Sequence, residues 1–386
     1  MRILFLDNHS FGKLDMVAAF TKLGCDVDMF YHEHICERRS PEFAEAFRHQ
    51  LAGKEYSFVF SINYFPQLST ACMEHHIKYI SYVYDSPLVA LYSYTVINSC
   101  NYIFLFDKTQ YLHLRKGGIT TVYYLPLAAN PARLAQMLPT PSIHEKLDCD
   151  VSFVGSLYNE KHNLFETLKD LPDYTRGYLD ALMDAQLKVS GYFFAEDLLT
   201  PDIVAALKRA NNYEHQPDGV ETESYVYANY FIARKLTQKE RMQLLNTVSS
   251  HYMLNLYTHN PAPELPHARY IGPIDYYDVM PYVFKCSKIN LNITLRSIQS
   301  GIPLRAFDIL GAGGFLLTNY QADFFDCFTP DEDFVYYEDE PDLLEKIEYY
   351  LSHERERMEI AENGCRKVVS SHTYEHRIRE MMETAL

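Results

Sequence analysis

The sequence predicts an α/β chain built as two Rossmann-like halves in tandem. Three observations carry this. Short β-rich apolar runs alternate with helix-length segments in both halves. A proline-rich break interrupts that alternation after residue 125. The length of 386 residues, against roughly 150 residues per domain, favours two domains over one.

The first strand is expected at Ile3–Leu6, four apolar residues that suit a strand buried on both faces. A polar loop, Asp7 to Lys13, leads into a helix on which Met16, Phe20 and Leu23 recur at i, i+4 and i+7, with Gly24 as its stop. Further strands are expected at Val27–Tyr31, Phe58–Ile62, Tyr79–Val83, Tyr102–Phe106 and Val122–Leu125. Strands that alternate with helices imply a parallel sheet covered on both sides. From Pro126 to Pro141 the words Leu-Pro, Asn-Pro and Pro-Thr-Pro read as a linker. A second strand-loop start follows at Val151–Gly155. Residues 160–250 are largely helical in pattern, broken at Asn211-Asn212 and Gln216-Pro-Asp-Gly219. Strands resume at Met253–Tyr257, Ile289–Ile293, Gly314–Thr318 and Phe334–Tyr337, and the chain from Asp342 is charged and helical. The expected domains are 1–135, joined by a terminal helix at about 370–386, and 145–369, with a helical insertion at about 175–250.

Composition narrows the function classes. With 51 acids against 35 Lys and Arg, the net charge of −16 disfavours nucleic acid and anionic lipid as partners. An apolar share of 47% allows a full core and argues against disorder. The eight cysteines are scattered without any Cys-x-x-Cys, and no run approaches a membrane span or a signal-peptide core. A cytoplasmic protein with reduced thiols and no integral membrane segment is therefore expected.

Neither half carries a Gly-x-Gly-x-x-Gly or P-loop word, which argues against a nicotinamide dehydrogenase and a P-loop nucleotidase. The densest segment is Tyr282–Thr318. It holds Lys285, Lys288, Arg296 and Arg305 against Asp308 alone, so 4 − 1 = +3 inside an acidic chain. That is a plausible seat for an anion such as a pyrophosphate. Arg305 and Asp308 stand three apart on one helix face, where a guanidinium can hold phosphate and a carboxylate can hold a ribose diol. A surface ion pair before a Gly helix stop explains the same spacing equally well.

GIPLRAFDILGAGGFLLTNY, the Tyr-Tyr-Glu-Asp stretch beyond it and Ser-His-Thr-Tyr-Glu-His-Arg resemble the C-terminal module of spore-maturation-protein-like (CgeB-type) glycosyltransferases. Those are two-domain GT-B enzymes whose Rossmann-like domains face an interdomain cleft, with a C-terminal helix crossing back. Gly272-Pro-Ile-Asp-Tyr-Tyr, Ser-Lys-Ile-Asn-Leu-Asn-Ile-Thr and Phe153-Val-Gly-Ser-Leu-Tyr158 extend the resemblance upstream. Val83-Tyr-Asp-Ser-Pro87, Phe104-Leu-Phe-Asp107 and Tyr124-Leu-Pro-Leu-Ala128 are similar to the companion domain. Residues 1–380 are covered, 175–235 weakly.

The resemblance implies a nucleotide diphosphate sugar, with UDP or GDP as carrier, held mainly by the second domain. Gly155, Ser156 and Tyr158 would sit by the phosphates, and Gly272, Pro273 and Ile274 by the base. Asp308 would meet the ribose and Arg305 the phosphate or sugar. Asn292, Thr294, Arg296, Pro303 and Leu304 complete the donor-binding set. Ser300 stands where retaining relatives carry a second Glu. For catalysis, Asp7 and His9 leave the first strand, where inverting relatives often carry a base, and Asp85 lies in a turn after a later strand. Asp7 can equally cap the following helix, and Asp85 can form an Asx turn before Pro87.

No metal is expected, because Arg and helix N-termini can neutralise a phosphate leaving group. The Asp-x-Asp pairs at 26–28, 148–150 and 331–333, and the histidine pairs at 32/34, 75/76 and 372/376, show no ligand spacing beyond chance. The expected function is metal-independent transfer of a hexose-type sugar from the donor to a protein or glycan acceptor, with no other cofactor. A non-hydrolysing nucleotide-sugar epimerase of the same fold and a non-catalytic nucleotide-sugar-binding or assembly protein remain alternatives.

Overall fold

The structure is a computed structural model and describes residues 1–160 and 163–386. The chain divides into two compact units. The first comprises Met1–Ala129, Glu214–Thr222 and His372–Leu386; the second comprises Asn130–Tyr213 and Glu223–Ser371.

The first unit is built on a parallel sheet of β1 (Arg2–Leu6), β2 (Asp26–Phe30), β3 (Phe58–Ile62), β4 (Tyr79–Val83), β5 (Asn101–Leu105) and β6 (Val122–Tyr124). Their order is β2-β1-β3-β4-β5-β6. Every residue of β3 and β4 is buried, which is why these strands read as unbroken apolar runs rather than alternating ones. Helices α1 (Lys13–Lys22), α2 (Pro41–Leu51), α3 (Pro66–Glu74) and α4 (Lys108–Lys116) connect them. Local chemistry sets their starts. Ser40 accepts the Phe43 amide before Pro41, and Asp107 accepts the amides of Thr109 and Gln110. On α2, Phe43 and Phe47 share one face four residues apart and stack in the core at 6.1 Å between ring centroids.

The second unit carries β7 (Cys149–Val154), β8 (Leu254–Tyr257), β9 (Arg269–Tyr270), β10 (Ser287–Asn292), β11 (Leu316–Asn319) and β12 (Val335–Tyr337), all parallel, in the order β12-β11-β10-β7-β8-β9. The edge strand β9 lies outside the strands expected from sequence. It is two residues long, and both are exposed, so no apolar run marks it. Of the four prolines in the stretch read as a linker, two begin helices. Pro131 and Pro141 stand at the starts of α5 (Pro131–Gln136) and α6 (Pro141–Leu147), where a missing N–H costs nothing.

The insertion folds as α7 (Asp173–Gln186), α8 (Pro201–Ala210), α9 (Glu223–Val226), a π-turn at Tyr227–Ile232 and the long α10 (Ala233–His251). The remaining helices are α11 (Met280–Cys286), α12 (Leu304–Gly311), α13 (Phe324–Cys327), α14 (Glu340–Ser352) and α15 (Glu354–Ser371). Gly314 is required by close packing, since a Cβ there would lie 2.7 Å from the Phe284 carbonyl oxygen. The last helix, α16 (Tyr374–Ala385), starts on a capping box of Thr373 and His376 and belongs to the first unit. There Arg377 Nε donates to the Pro126 carbonyl at 2.7 Å, and Lys22 pairs with Glu375 at 2.7 Å.

Within Glu214–Thr222, Val220 donates its amide to the Tyr92 carbonyl at 2.7 Å, and Tyr94 donates to the Asp218 carbonyl at 3.0 Å. The buried Asp218 carboxylate accepts from the Ser93 hydroxyl and pairs with Arg38 at 3.3 Å. This segment, flanked in sequence by the insertion helices, is thereby stitched into the first unit as a strap.

Candidate functional site

Each sheet has one switch point, where connections leave in opposite directions and the carboxyl ends of two strands open a crevice. In the first unit it lies between β1 and β3. A cavity of about 880 Å³ opens beside it, lined by Asn8 and Ser10 after β1, Asn63 after β3 and Asp85 after β4. Its apolar wall includes Phe65, Leu88 and Val89, and the strap contributes Gln216, Pro217 and Asp218.

Asn63 organises the floor of this cavity from the left-handed region, at φ +66°. Its Nδ2 donates to Asp85 Oδ2 at 2.8 Å, while its Oδ1 accepts the amides of Tyr84 at 2.8 Å and Asp85 at 3.1 Å. Asp85 is exposed, so its carboxylate is both oriented and reachable. Asp7 is placed differently. Both of its oxygens bond Lys13 Nζ, at 2.8 and 2.9 Å, and Oδ1 also accepts the His9 amide at 2.9 Å. Partial burial acts to raise the Asp7 carboxyl, but the Lys13 ammonium and the His9 amide outweigh it and hold the group below the ordinary value. His9 projects to solvent beside Tyr31, with ring centroids 5.1 Å apart. Of the three residues expected to supply a base, Asp85 lines the cavity; Asp7 and His9 are outside its lining.

In the second unit the switch point lies between β7 and β10. Gly155 to Tyr158 leave β7, and their turn is held by side chains. Asn260 Oδ1 accepts the Leu157 amide at 2.8 Å, and Ser156 Oγ accepts the Tyr158 amide at 3.0 Å. Tyr158 adopts φ +56°. After β10, Asn292 Nδ2 donates to Thr294 Oγ1 at 3.1 Å and Thr318 Oγ1 at 2.9 Å, and the Thr294 amide donates to Asn319 Oδ1 at 2.8 Å. These buried bonds tie β10 to β11. Arg296 forms a two-pronged pair with Glu240, at 2.8 and 2.6 Å, and also reaches the Val189 carbonyl at 3.1 Å. The structure therefore commits both prongs of Arg296 to a carboxylate.

Pro303 and Leu304 form the start of α12, which lacks a side-chain cap. Arg305 lies in its first turn. Its Nη1 points at Met280 Sδ, 2.8 Å away, and its guanidinium carbon lies 5.9 Å from the centre of the Phe284 ring. Burial pulls the guanidinium below its ordinary value, against the opposing pull of Asp308 and Tyr276. Asp308 is buried one turn on and accepts the Tyr276 hydroxyl at 3.0 Å. Gly272 adopts φ +97° beyond β9, with Pro273 exposed and Ile274 half-buried. The structure thus places Gly155–Tyr158 at the exit of β7, bonds Tyr276 to Asp308, and sets Arg305 one turn before Asp308 on α12.

One residue was missed. Arg241 of α10, only 8% exposed, reaches into the β7–β10 switch point. It donates through Nη1 to the Ser156 carbonyl, and through Nε (3.1 Å) and Nη2 to the Ile293 carbonyl. Its guanidinium lies over the Tyr158 ring at 4.9 Å and the Phe153 ring at 5.3 Å. A sequence signal existed: Thr237 and Arg241 fall in the buried register of α10 with Leu244, Leu245 and Val248. A cation on the core-facing stripe of a helix calls for an explanation.

Among the described residues, one trio could place three ligand atoms within 4.8 Å of one another: His144, Asp148 and Cys286. It includes one acid of the 148–150 pair, whereas Asp150 pairs with Lys288 at 2.8 Å. No helix among the described residues is long and apolar enough to cross a membrane.

Residues 234–383 match the family model described as glycosyl transferase-like. Sucrose-phosphate synthase from Thermosynechococcus elongatus superposes with a TM-score of 0.56 at 12% identity, over 100% of this chain and 98% of that one. Anabaena HepE in complex with UDP-glucose gives 0.57 at 9% identity, over 100% and 99%. The fold is GT-B. A glycosyltransferase from Rickettsia africae adds a third match of this architecture, with a TM-score of 0.55 at 10% identity over 100% and 97%. A search of curated protein sequences finds no match. The segment that matches the family model contains Arg241, Tyr276, Arg305 and Asp308.

Proposed function

We propose that this GT-B chain transfers a hexose-type sugar, without a metal, from a nucleoside diphosphate sugar to a hydroxyl on a protein or glycan. The observation that carries the reading is the hydrogen bond from Tyr276 to Asp308 of α12, one turn after Arg305 on the same helix, inside the segment that matches the family model. In this reading Asp308 accepts hydrogen bonds from the ribose diol, and Gly272, Pro273 and Ile274 border the base. Arg305 and the uncapped start of α12 face the phosphates. Gly155, Ser156 and Tyr158 supply the turn against which the phosphates rest. UDP is the first carrier to try, since the HepE structure is a complex with UDP-glucose.

Asp85 is the base. Its carboxylate takes the acceptor hydroxyl proton as the oxygen bonds to the anomeric carbon. The bond from that carbon to the diphosphate breaks, and the nucleoside diphosphate leaves with the electron pair. Cationic and dipolar neutralisation of that leaving group does the work a metal would otherwise do.

Ser300 supports a second reading, of a nucleotide-sugar binder without turnover. It is buried, and its carbonyl accepts the Asp323 amide at 3.0 Å, where a retaining enzyme would present a carboxylate. One experiment separates the two. UDP-, GDP- and dTDP-glucose are incubated with the protein, and free nucleoside diphosphate is measured beside the melting temperature. Release supports transfer chemistry, a thermal shift without release supports binding alone, and neither effect defeats the donor site.

A further inference from the structure

Arg241 is buried, yet its known donors serve main-chain carbonyls rather than a carboxylate. Burying a guanidinium carries a large desolvation cost, and a folded chain normally repays it with a counter-charge. Here three of five N–H groups bridge the exits of the two switch-point strands, through Ser156 and Ile293. One N–H on each terminal nitrogen is left over.

Arg305 adds a second cation to the same neighbourhood. Its Nε is buried with no hydrogen-bond partner among the described residues, and its Nη1 faces a thioether, a weak acceptor. The two guanidiniums are close enough that Arg305 acts to disfavour the charge on Arg241, although burial is the larger effect there. Glu240, the acid next to Arg241 in sequence, is already engaged by both prongs of Arg296. Arg241, buried at the crevice where open α/β sheets receive ligands, and the half-buried Arg305, whose Nε is buried, both keep unspent donors and describe a seat built for an anion with more than one charge.

We propose that Arg241 is a specificity-determining residue that, with Arg305, selects a diphosphate over a monophosphate or a bare nucleoside. This rests on the donor reading above. It adds a residue delivered by the insertion helix α10 rather than by a strand-exit loop. Arg241 clamps the β7 and β10 exits in the geometry that receives the phosphates, and its remaining N–H groups meet the second phosphate.

Calorimetric titration of the full chain tests this. UDP, GDP and dTDP are titrated first, and the tightest is compared with its own monophosphate and nucleoside on wild type, Arg241→Gln and Arg241→Lys. The expected loss for Arg241→Gln is about 10- to 100-fold for the diphosphate, as for one charge-assisted contact, with the nucleoside changed less than about twofold. Arg241→Lys keeps the charge but not the fork, and is expected to fall between. Diphosphate affinity retained within about twofold in Arg241→Gln overturns the assignment. An equal loss for diphosphate and nucleoside also overturns it, since that marks a purely structural role. If Arg241→Gln does not fold, Arg241→Lys alone decides on the same ratio. If wild type binds none of the three diphosphates, the donor reading itself fails, a result distinct from either outcome above.

Discussion

Asn63 holds Asp85 at two points and its neighbour Tyr84 at a third: its amide nitrogen donates to the Asp85 carboxylate at 2.8 Å, and its amide oxygen accepts the backbone N–H groups of Tyr84 and Asp85. One side chain thereby fixes both the turn after β4 and the direction of its acid. Asp85→Asn removes the proposed base and is expected to lower kcat for transfer by about 10²- to 10⁴-fold while leaving donor affinity unchanged. Asn63→Gly tolerates the positive φ and removes only the hold, so a smaller fall in kcat is expected. Steady-state kinetics with the donor varied checks both. A loss confined to donor KM would remove Asp85 from the chemistry.

The Arg296–Glu240 pair is two-pronged, with Glu240 buried and Arg296 largely so. Glu240→Ala strands the guanidinium and is expected to destabilise the protein by about 3–5 kcal/mol. The double variant Glu240→Leu, Arg296→Met removes both charges and is expected to recover most of that loss. Urea midpoints for the three proteins, compared at equal slope, give the answer.

Gly12 precedes α1 at φ +73°, and a Cβ there would lie 2.7 Å from Tyr374 Oη of α16. Gly12→Ala is expected to cost about 1–3 kcal/mol through backbone strain and to loosen α16. The combination Gly12→Ala with Tyr374→Phe removes the oxygen but not the strain, so it should recover only part of the loss. Thermal melts of both variants report the split.

Asp7 sets an acid limb to stability. Its folded carboxyl lies below the ordinary value of 3.8, so the stabilisation is fully present above that value. It is lost as pH falls through the lower folded value. Asp7→Asn should therefore destabilise the chain at about pH 7 and have little effect at about pH 2. Chemical unfolding at the two pH values tests the sign; a penalty that grows on acidification would contradict the Lys13 pairing.

Strands buried on both faces were legible because burial demands continuous apolar runs. Phe58–Ile62 and Tyr79–Val83 appear at the residues read from sequence. The edge strand β9 escaped because exposed Arg269 and Tyr270 owe their pairing to β8 rather than to composition. The proline-rich stretch does hold the passage between units, at 129/130, but Pro131 and Pro141 within it also start helices, since proline both breaks helices and begins them. Among candidate site residues, Arg305 and Asp308 stood out by their spacing and Asp85 by its turn after a strand; Arg241 did not, because it reaches the β7 exit from a helix that sequence order places far from β7. The strap was read only as a polar break at Gln216–Gly219; nothing in its polar text names Arg38 and Ser93 as its partners.

The division of the chain has a consequence for biosynthesis. The polypeptide passes from one unit to the other between residues 129 and 130, 213 and 214, 222 and 223, and 371 and 372. Neither unit is a continuous stretch that could be excised by cutting at one place. A ribosome that has made the first six strands has still to make the strap and α16, which pack into the unit those strands form. The first unit thus begins folding first and completes last. A nascent chain would keep the surface covered by the strap open until residue 222 is made, and the surface covered by α16 open throughout synthesis of the second unit, an interval that favours misassembly.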